Sequence, residues 1–330
     1  MSTKRFSLRL ALFALGAVLA AVPALGARAS DDALSLVPSD AAAVCVVRWN
    51  ELRASPIGAR ILSQSDNITT DGDAARFMAE AHLNPKEDVD VIVIAGSPSP
   101  TGAGQGSALV LFEGRFDPTG LSSAMASRGA ARRSTQGGDY FLLPEKSSDP
   151  NRKIGAVAFA SPHLVIGGDE ASVIAALARR GGAASGFPSR SSLNGEYHRI
   201  NPGASAWALV DVKRFPLGSR AHINAEGEAG QFLGAMRSVN FVSLQATVRG
   251  DGIDLAAAGV ADNDETRQLL EDSVRGILAM WRLAVQDKSP EAVTALRKFQ
   301  VDHEGSSVTI KGTLSGETLR ALSQKRAAAH

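Results

Sequence analysis

Six histidines, one cysteine and a few acidic clusters are the residues of this chain whose chemistry could exceed packing. None of His82, His163, His198, His222, His303 and His330 has a second His or Cys three or four residues away. That spacing is what lets one helix face present a pair of metal ligands, and no HExxH run occurs. His198 follows Glu196 and Tyr197 in a loop-like stretch. With an Asp or Ser brought from elsewhere it would serve as the base of a hydrolase site assembled only in three dimensions. GxSxG and SxxK elements are absent, so the common serine-nucleophile signatures are missing. Cys45 sits inside the apolar run Val44–Trp49, where a thiol is a small buried hydrophobe with nothing nearby to lower its pKa.

Three further stretches resemble ligand loops and read better as structure. Gly102–Gly106 (GAGQG) joins a strand to a strand, so it lacks the helix N-terminus that would hold phosphate. Gly167-Gly168-Asp169 does precede a helix, yet Asp169 occupies the place of an anion and is expected to be an N-cap. Asp66–Asp73 has the polar alternation of a calcium loop, but Met78 falls where a bidentate Glu belongs. Asp262-Asn263-Asp264-Glu265 reads as an acidic first helical turn, with Asp262 the cap. Arg132-Arg133 and Arg179-Arg180 are isolated doublets, and 3 Trp and 2 Tyr are few for stacking bases or sugars. Trp49, Trp207 and Trp281 all lie in apolar patterns and are expected in the core. No residue is assigned as catalytic, cofactor-binding or metal-ligating, and no cofactor is implied.

The elements that would position such groups follow an N-terminal leader. Lys4, Arg5 and Arg9 precede the apolar run Leu10–Val22, then Pro23 and the small-x-small site Ala27-Arg28-Ala29. Residues 1–29 therefore read as a signal peptide, with an apolar run too short for the ~20 residues of a bilayer span. The whole chain has 330 residues with 35 Lys+Arg against 34 Asp+Glu. Removing the leader takes four positive charges and leaves a net of −3, which disfavours nucleic acid as a partner. No later stretch approaches 18 consecutive apolar residues, so no membrane span is expected after cleavage. The expected location is the periplasm or the exterior, and a single Cys excludes an intrachain disulfide there.

Beyond the leader, short strands alternate with capped helices. Val44–Trp49, Val89–Ala95, Ala108–Phe112, Tyr140–Leu143, Ala156–Ala160, Leu164–Ile166, Ala206–Val212, Val239–Val248, Ile253–Val260, Phe299–His303 and Val308–Leu314 are predicted strands. Asp117-Pro118, Ser289-Pro290 and Ser315 open predicted helices, and Asn84-Pro85 is read as ending one. A long helix after Asp262 carries Leu269, Leu270, Val274, Ile277, Leu278 and Trp281 as its apolar stripe. Two- to four-residue turns join several strands, which parallel crossovers cannot use. The expected class is α+β: two similar halves, residues 30–180 and 196–326, each a mainly antiparallel sheet covered by helices. Residues 181–195 (GGAASGFPSRSSLNG) are read as a linker and 327–330 as a disordered tail.

Two correspondences suggest internal duplication. Pro56-Ile57-Gly58-Ala59-Arg60 matches Pro216-Leu217-Gly218-Ser219-Arg220 in residue type. Gly114, Phe116, Asp117 and Leu121 match Gly312, Leu314, Ser315 and Leu319. The opening Leu36-Val37-Pro38-Ser39-Asp40-Ala41 and Ser55-Pro56-Ile57-Gly58, with Gly114–Asp117 and Leu164–Asp169, resemble exported bacterial proteins of uncharacterised function with an "LVPxDA" start and repeated α+β units. That resemblance implies export and repetition but no activity. The expectation is an exported, non-enzymatic binding or interaction protein of the bacterial cell envelope, its partner an unknown protein or small molecule; the rival is the exported hydrolase built around His198.

Overall fold

The computed structural model describes residues 31–56, 58–59, 72–98, 106–144, 154–182, 185–215, 239–286 and 290–318. Residues 1–29, read as a signal peptide, most of the Asp66–Asp73 stretch, Gly102–Gln105, Pro216–Arg220 and residues 327–330, read as a tail, lie outside them. In chain order the elements are α1 (Asp31–Leu36), β1 (Ala43–Arg48), α2 (Trp49–Arg53), α3 (Gly72–Glu80), α4 (Pro85–Asp88), β2 (Val89–Ser97), β3 (Ser107–Gly114), α5 (Pro118–Ser127), β4 (Ala131–Thr135), β5 (Gly138–Leu142), β6 (Gly155–Ser161), β7 (Leu164–Asp169) and α6 (Glu170–Arg180). They continue with α7 (Asn194–Tyr197), β8 (Ala206–Asp211), β9 (Val239–Arg249), β10 (Gly252–Ala261), α8 (Asp264–Gln286), α9 (Pro290–Arg297), β11 (Gln300–Glu304) and β12 (Ser307–Leu314).

All twelve strands belong to one sheet, ordered β11-β12-β10-β9-β8-β1-β2-β3-β7-β6-β5-β4, and every described pairing is antiparallel. The α+β class with antiparallel pairing therefore holds. The expectation of one sheet per half meets instead a continuous sheet, because β1 pairs with β8 through five residues, Val46 beside Trp207. An edge strand left unpaired exposes a row of N–H and C=O groups, and joining β1 to β8 removes two such edges.

Cross-strand partners share a face, so the register divides the side chains into two rows. Trp207, Val46, Val93, Leu111, Ile166 and Ala158 lie in line across six strands and form the main core with α1 and α6. The alternating burial of β2 follows from this: Val89, Val91, Val93 and Ala95 are buried, and the residues between them less so. On the other face, Cys45 packs with Ala206, Ala208, Val47, Ile94 and Leu244. At one end of that face α3 and α5 cover Phe159, and at the other α8 covers Val242, Val301 and Val308.

Local chemistry sets the ends of the elements. Asp117 accepts from the Thr119 N–H with Pro118 in the first turn, and Asp169 accepts from the Ser172 N–H, as expected. Gly250 takes a positive φ of 61° in the β9–β10 hairpin, and Gly305 one of 55° in the β11–β12 hairpin. Four expectations change. Asn84-Pro85 starts a helix rather than ending one, Asn84 accepting from the Lys86 N–H. The cap of α8 is Asn263, which exchanges hydrogen bonds with Thr266, while Asp262 pairs with Lys213 at 2.7 Å. The strand β4 was not expected, since ARRST has no apolar alternation. Residues 185–195, read as linker, are packed: Phe187 and Leu193 are buried in the main core, and the Phe187 N–H bonds to the Val37 carbonyl.

Candidate functional site

The residues singled out for chemistry do not converge. His198 is exposed on the turn after α7; its ring stands 5.9 Å from that of Tyr197. Among the described residues no Ser, Asp or Glu side chain bonds to it. Tyr197 itself packs on Phe187 and Trp207, with centroids 5.1 and 5.6 Å away. Glu196 pairs with Arg199 at 3.3 Å. His163 meets the Gly114 carbonyl through Nδ1 at 3.0 Å and His303 meets Glu271 at 3.0 Å, so both serve local structure. No group of three or more His, Cys, Asp or Glu among the described residues could hold a metal ion. Burial pushes the Cys45 thiol up to about 12, the opposite of an activated nucleophile. Of the arginine doublets, Arg132 and Arg133 lie on β4, where Arg132 and Ser134 both bond to Asp139. The Ser134 hydroxyl and Arg132 hold that carboxyl below its usual range. Arg179 donates to the Leu36 carbonyl at 3.3 Å, tying α6 to the chain before β1.

Buried charge is instead concentrated at the two ends of the β1–β8 seam. Arg48 ends β1 and Asp211 ends β8, with only 8% and 5% of their surfaces exposed. Each closes the seam with a backbone bond to the residue just before the other strand. The Arg48 N–H donates to the Ser205 carbonyl at 2.9 Å, and the Asp211 N–H to the Ala42 carbonyl at 2.7 Å. The Arg48 guanidinium donates to the Pro202 carbonyl at 2.8 Å and lies 3.6 Å from Glu51, which is 3% exposed. Arg48 Nε and the neighbouring Trp49 Nε1 are buried with no acceptor among the described residues. At the opposite end the Asp211 carboxylate accepts from the Ser192 hydroxyl at 2.9 Å and the Arg214 N–H at 3.1 Å, and Arg214 reaches on to the Asp40 carbonyl at 2.8 Å. These groups tie the 185–215 segment to the residues around β1. They are structural anchors, and sequence reading passed over them because a single charge ending an apolar strand looks like an ordinary strand terminus.

The third feature is α8. Leu270 and Val274 face Val239, Val242, Val301 and Val308. Beside them Glu271 receives Arg267 at 3.0 Å, Arg275 at 2.5 Å and His303 at 3.0 Å. Arg267 also bonds to Asp264 at 2.8 Å and holds that carboxyl below its usual range. Yet Leu269, Trp281 and Leu283, the first two expected in the inward stripe, are 58%, 54% and 68% exposed. A helix turns 100° per residue, so Trp281 lies on the same side as Leu270 and Val274 but past the valines they cover. Leu269 and Leu283 point away from the sheet.

No family model matches the chain, and no curated protein matches it. Among solved structures it is similar to TP0453 in three crystal forms. Form I has a TM-score of 0.46 at 12% identity, covering 90% of this chain and 98% of that one. For form III the values are 0.49 and 13%, with 90% and 100% covered. Form IV gives 0.46 and 13%, with 88% and 95% covered. No helix among the described residues is long and apolar enough to cross a membrane.

Proposed function

We propose that this chain is an exported, non-enzymatic binding protein of the bacterial cell envelope, built from two copies of one strand-and-helix unit and docking a protein partner on α8. One observation carries the reading. Asp169, Asp211, Ser192, Arg267 and Glu271 are engaged in a cap, a strand closure and ion pairs, whereas Trp281 keeps 54% of its surface in solvent. Reactive sites need polar groups converging on a cavity; docking sites need an aromatic anchor at the surface.

Duplication is supported by strand order. β1, β2 and β3 form a meander with β7 then β6 beside β3; β8, β9 and β10 form a second with β12 then β11 beside β10. β4 and β5 are then an addition to the first copy. The paired closures by Arg48 and Asp211 at equivalent strand ends fit a two-fold relation across the seam. In this scheme Pro56–Arg60 and Pro216–Arg220 follow equivalent strands β1 and β8 in the chain. Gly114 and Gly312 lie on β3 and β12, which are not equivalent, so that correspondence is chance likeness of apolar strand ends. The resemblance of the Leu36–Ala41 opening to exported proteins of unknown function agrees with the leader at residues 1–29.

The test places a photo-crosslinking amino acid at position 281 of the full chain in an exporting host, with the same probe at Lys311, an exposed position on β12, as control. A discrete protein adduct from position 281 and none from 311 is expected. Equal labelling at both sites, or none at either, would overturn the proposal.

A further inference from the structure

We propose that Asn194 is a site of spontaneous deamidation, a slow covalent change to aspartate and isoaspartate that the fold leaves open. Asn194-Gly195 is the one Asn-Gly pair in the chain. In this chemistry the backbone nitrogen of the following residue attacks the asparagine side-chain carbonyl. A glycine carries no Cβ to obstruct that nitrogen and turns freely into the attacking conformation. The inference stands apart from the docking function proposed above.

The other described asparagines are engaged or lack the nucleophile. Asn84 and Asn201 precede Pro85 and Pro202, whose nitrogens carry no proton. The Asn50 side-chain oxygen accepts from the Glu51 N–H at 2.8 Å, and that of Asn263 from the Thr266 N–H at 2.9 Å. Asn240 bonds to Asp262. The half-buried Asn194 side chain makes no hydrogen bond among the described residues.

Reaching the reactive arrangement costs the fold little. A rotation about ψ of Asn194, countered by φ of Gly195, swings the peptide unit between them and leaves the rest of α7 in place. Among the described residues the Gly195 N–H donates to no acceptor, and the Asn194 carbonyl receives the His198 N–H at 3.3 Å, beyond the usual range. The space around Gly195 is open, since a Cβ built there meets nothing within 4 Å. One weak hydrogen bond is the cost, so the reaction in the folded protein stays within about tenfold of its rate in unfolded chain.

The Gly195 nitrogen gives its proton to water and bonds to Asn194 Cγ, the Cγ–Nδ2 bond breaks, and ammonia leaves a cyclic imide. Water then opens the ring. Opening at Cγ restores the main chain with an aspartate side chain, and opening at the α-carbonyl carries the main chain through Cγ as isoaspartate. Leu193 is fully buried, and Tyr197 packs on Phe187 and Trp207. The Tyr197 N–H donates to the Leu193 carbonyl at 2.8 Å. One extra backbone atom between these two anchored residues breaks that bond or unseats one of them. The aspartate form therefore keeps the fold, and the isoaspartate form loosens α7 from the core.

The test holds the purified chain at about pH 8 and about 37 °C and follows its peptides by mass spectrometry. Asn194 is expected to gain about 1 Da ahead of Asn50, Asn84, Asn201, Asn240 and Asn263, as two products that an isoaspartyl methyltransferase tells apart. Gly195→Ala, for which there is room, should slow the change about tenfold or more with an unchanged circular dichroism spectrum. The isoaspartate product should melt below the aspartate product. A native rate at Asn194 more than about tenfold below that in urea would overturn the proposal. So would an equal rate in the Gly195→Ala chain, earlier change at another of the five asparagines, or identical melting of the two products.

Discussion

The buried thiol of Cys45 offers a quantitative test of the central strands. Cys45 lies in β1, its side chain against Ala206, Ala208 and Ile94, and burial raises its pKa from near 9 to about 12. At pH 9 about half of the thiols in the unfolded chain are thiolate, against on the order of one in a thousand in the folded protein. A thiol reagent should therefore react several hundred times more slowly with the native protein than with chain unfolded in urea, before any barrier to entry is counted. Because the pKa is raised on folding, the contribution to stability is fully present below pH 9 and is lost as pH rises toward 12. Each unit in that window removes about 1.4 kcal/mol, so between pH 9 and 10.5 the loss is about 2 kcal/mol. Other groups titrate there too, so the measurement is a difference. Urea unfolding is followed at both pH values for the natural chain and for Cys45→Ala. The alanine chain is expected to start less stable by about 1 kcal/mol from the lost sulfur contacts and to fall by about 2 kcal/mol less over the interval. Rapid stoichiometric labelling of the native protein, or parallel pH dependence of the two chains, would refute a closed β1–β8 seam around this residue.

The seam and the helix caps give two more tests. Arg48→Met leaves Glu51 buried without its cation and is expected to cost about 3–5 kcal/mol in urea unfolding, while Arg48→Met with Glu51→Leu recovers most of that loss. Asp169→Ala removes the cap of α6 and should cost about 1 kcal/mol, a fall of roughly 2–4 °C in Tm, whereas Asp169→Asn should retain most of the stability; equal melting of all three chains would disprove the cap.

Features that depend on a few neighbouring residues were legible before any coordinates. Asp117 and Asp169 cap helices because a short carboxylate before a helix can reach the free N–H groups of its first turn, and that requirement is visible in the residue types. The β9–β10 hairpin was visible for the same reason, its turn built on Gly250. The misreadings share a different origin. Asn84-Pro85 suits both the end of one helix and the start of the next, and only the position of β2 decides between them. Asp262 and Asn263 are both competent caps, and the choice fell to Asn263 once Lys213 took the carboxylate. β4 carries no apolar pattern because it is an edge strand, held by backbone pairing to β5.

As for the site, the expectation from spacing was that no histidine or cysteine pair stands at metal-ligand distance along the chain. The sequence hid the anchors Arg48, Glu51 and Asp211, and it placed Leu269 and Trp281 inside. An inward stripe defined by spacing alone does not separate neighbours 100° apart on a helix: Leu270 packs on the sheet while the adjoining Leu269 faces out, and Trp281 lies on the packed side with half its surface in solvent.

By itself, then, the order of residues determined the strands with alternating burial, the helix starts after Asp117, Asp169 and Ser289 and the antiparallel class, since each follows from side-chain period and short-range hydrogen bonding. Whether the strands formed one sheet or two was decided only in three dimensions. The β1–β8 pairing is made by backbone N–H and C=O groups that every residue carries, so no side-chain pattern announces it. The apolar row from Trp207 through Val46 to Ala158 rewards that continuity by giving α1, α6 and the 185–200 segment a single surface to bury.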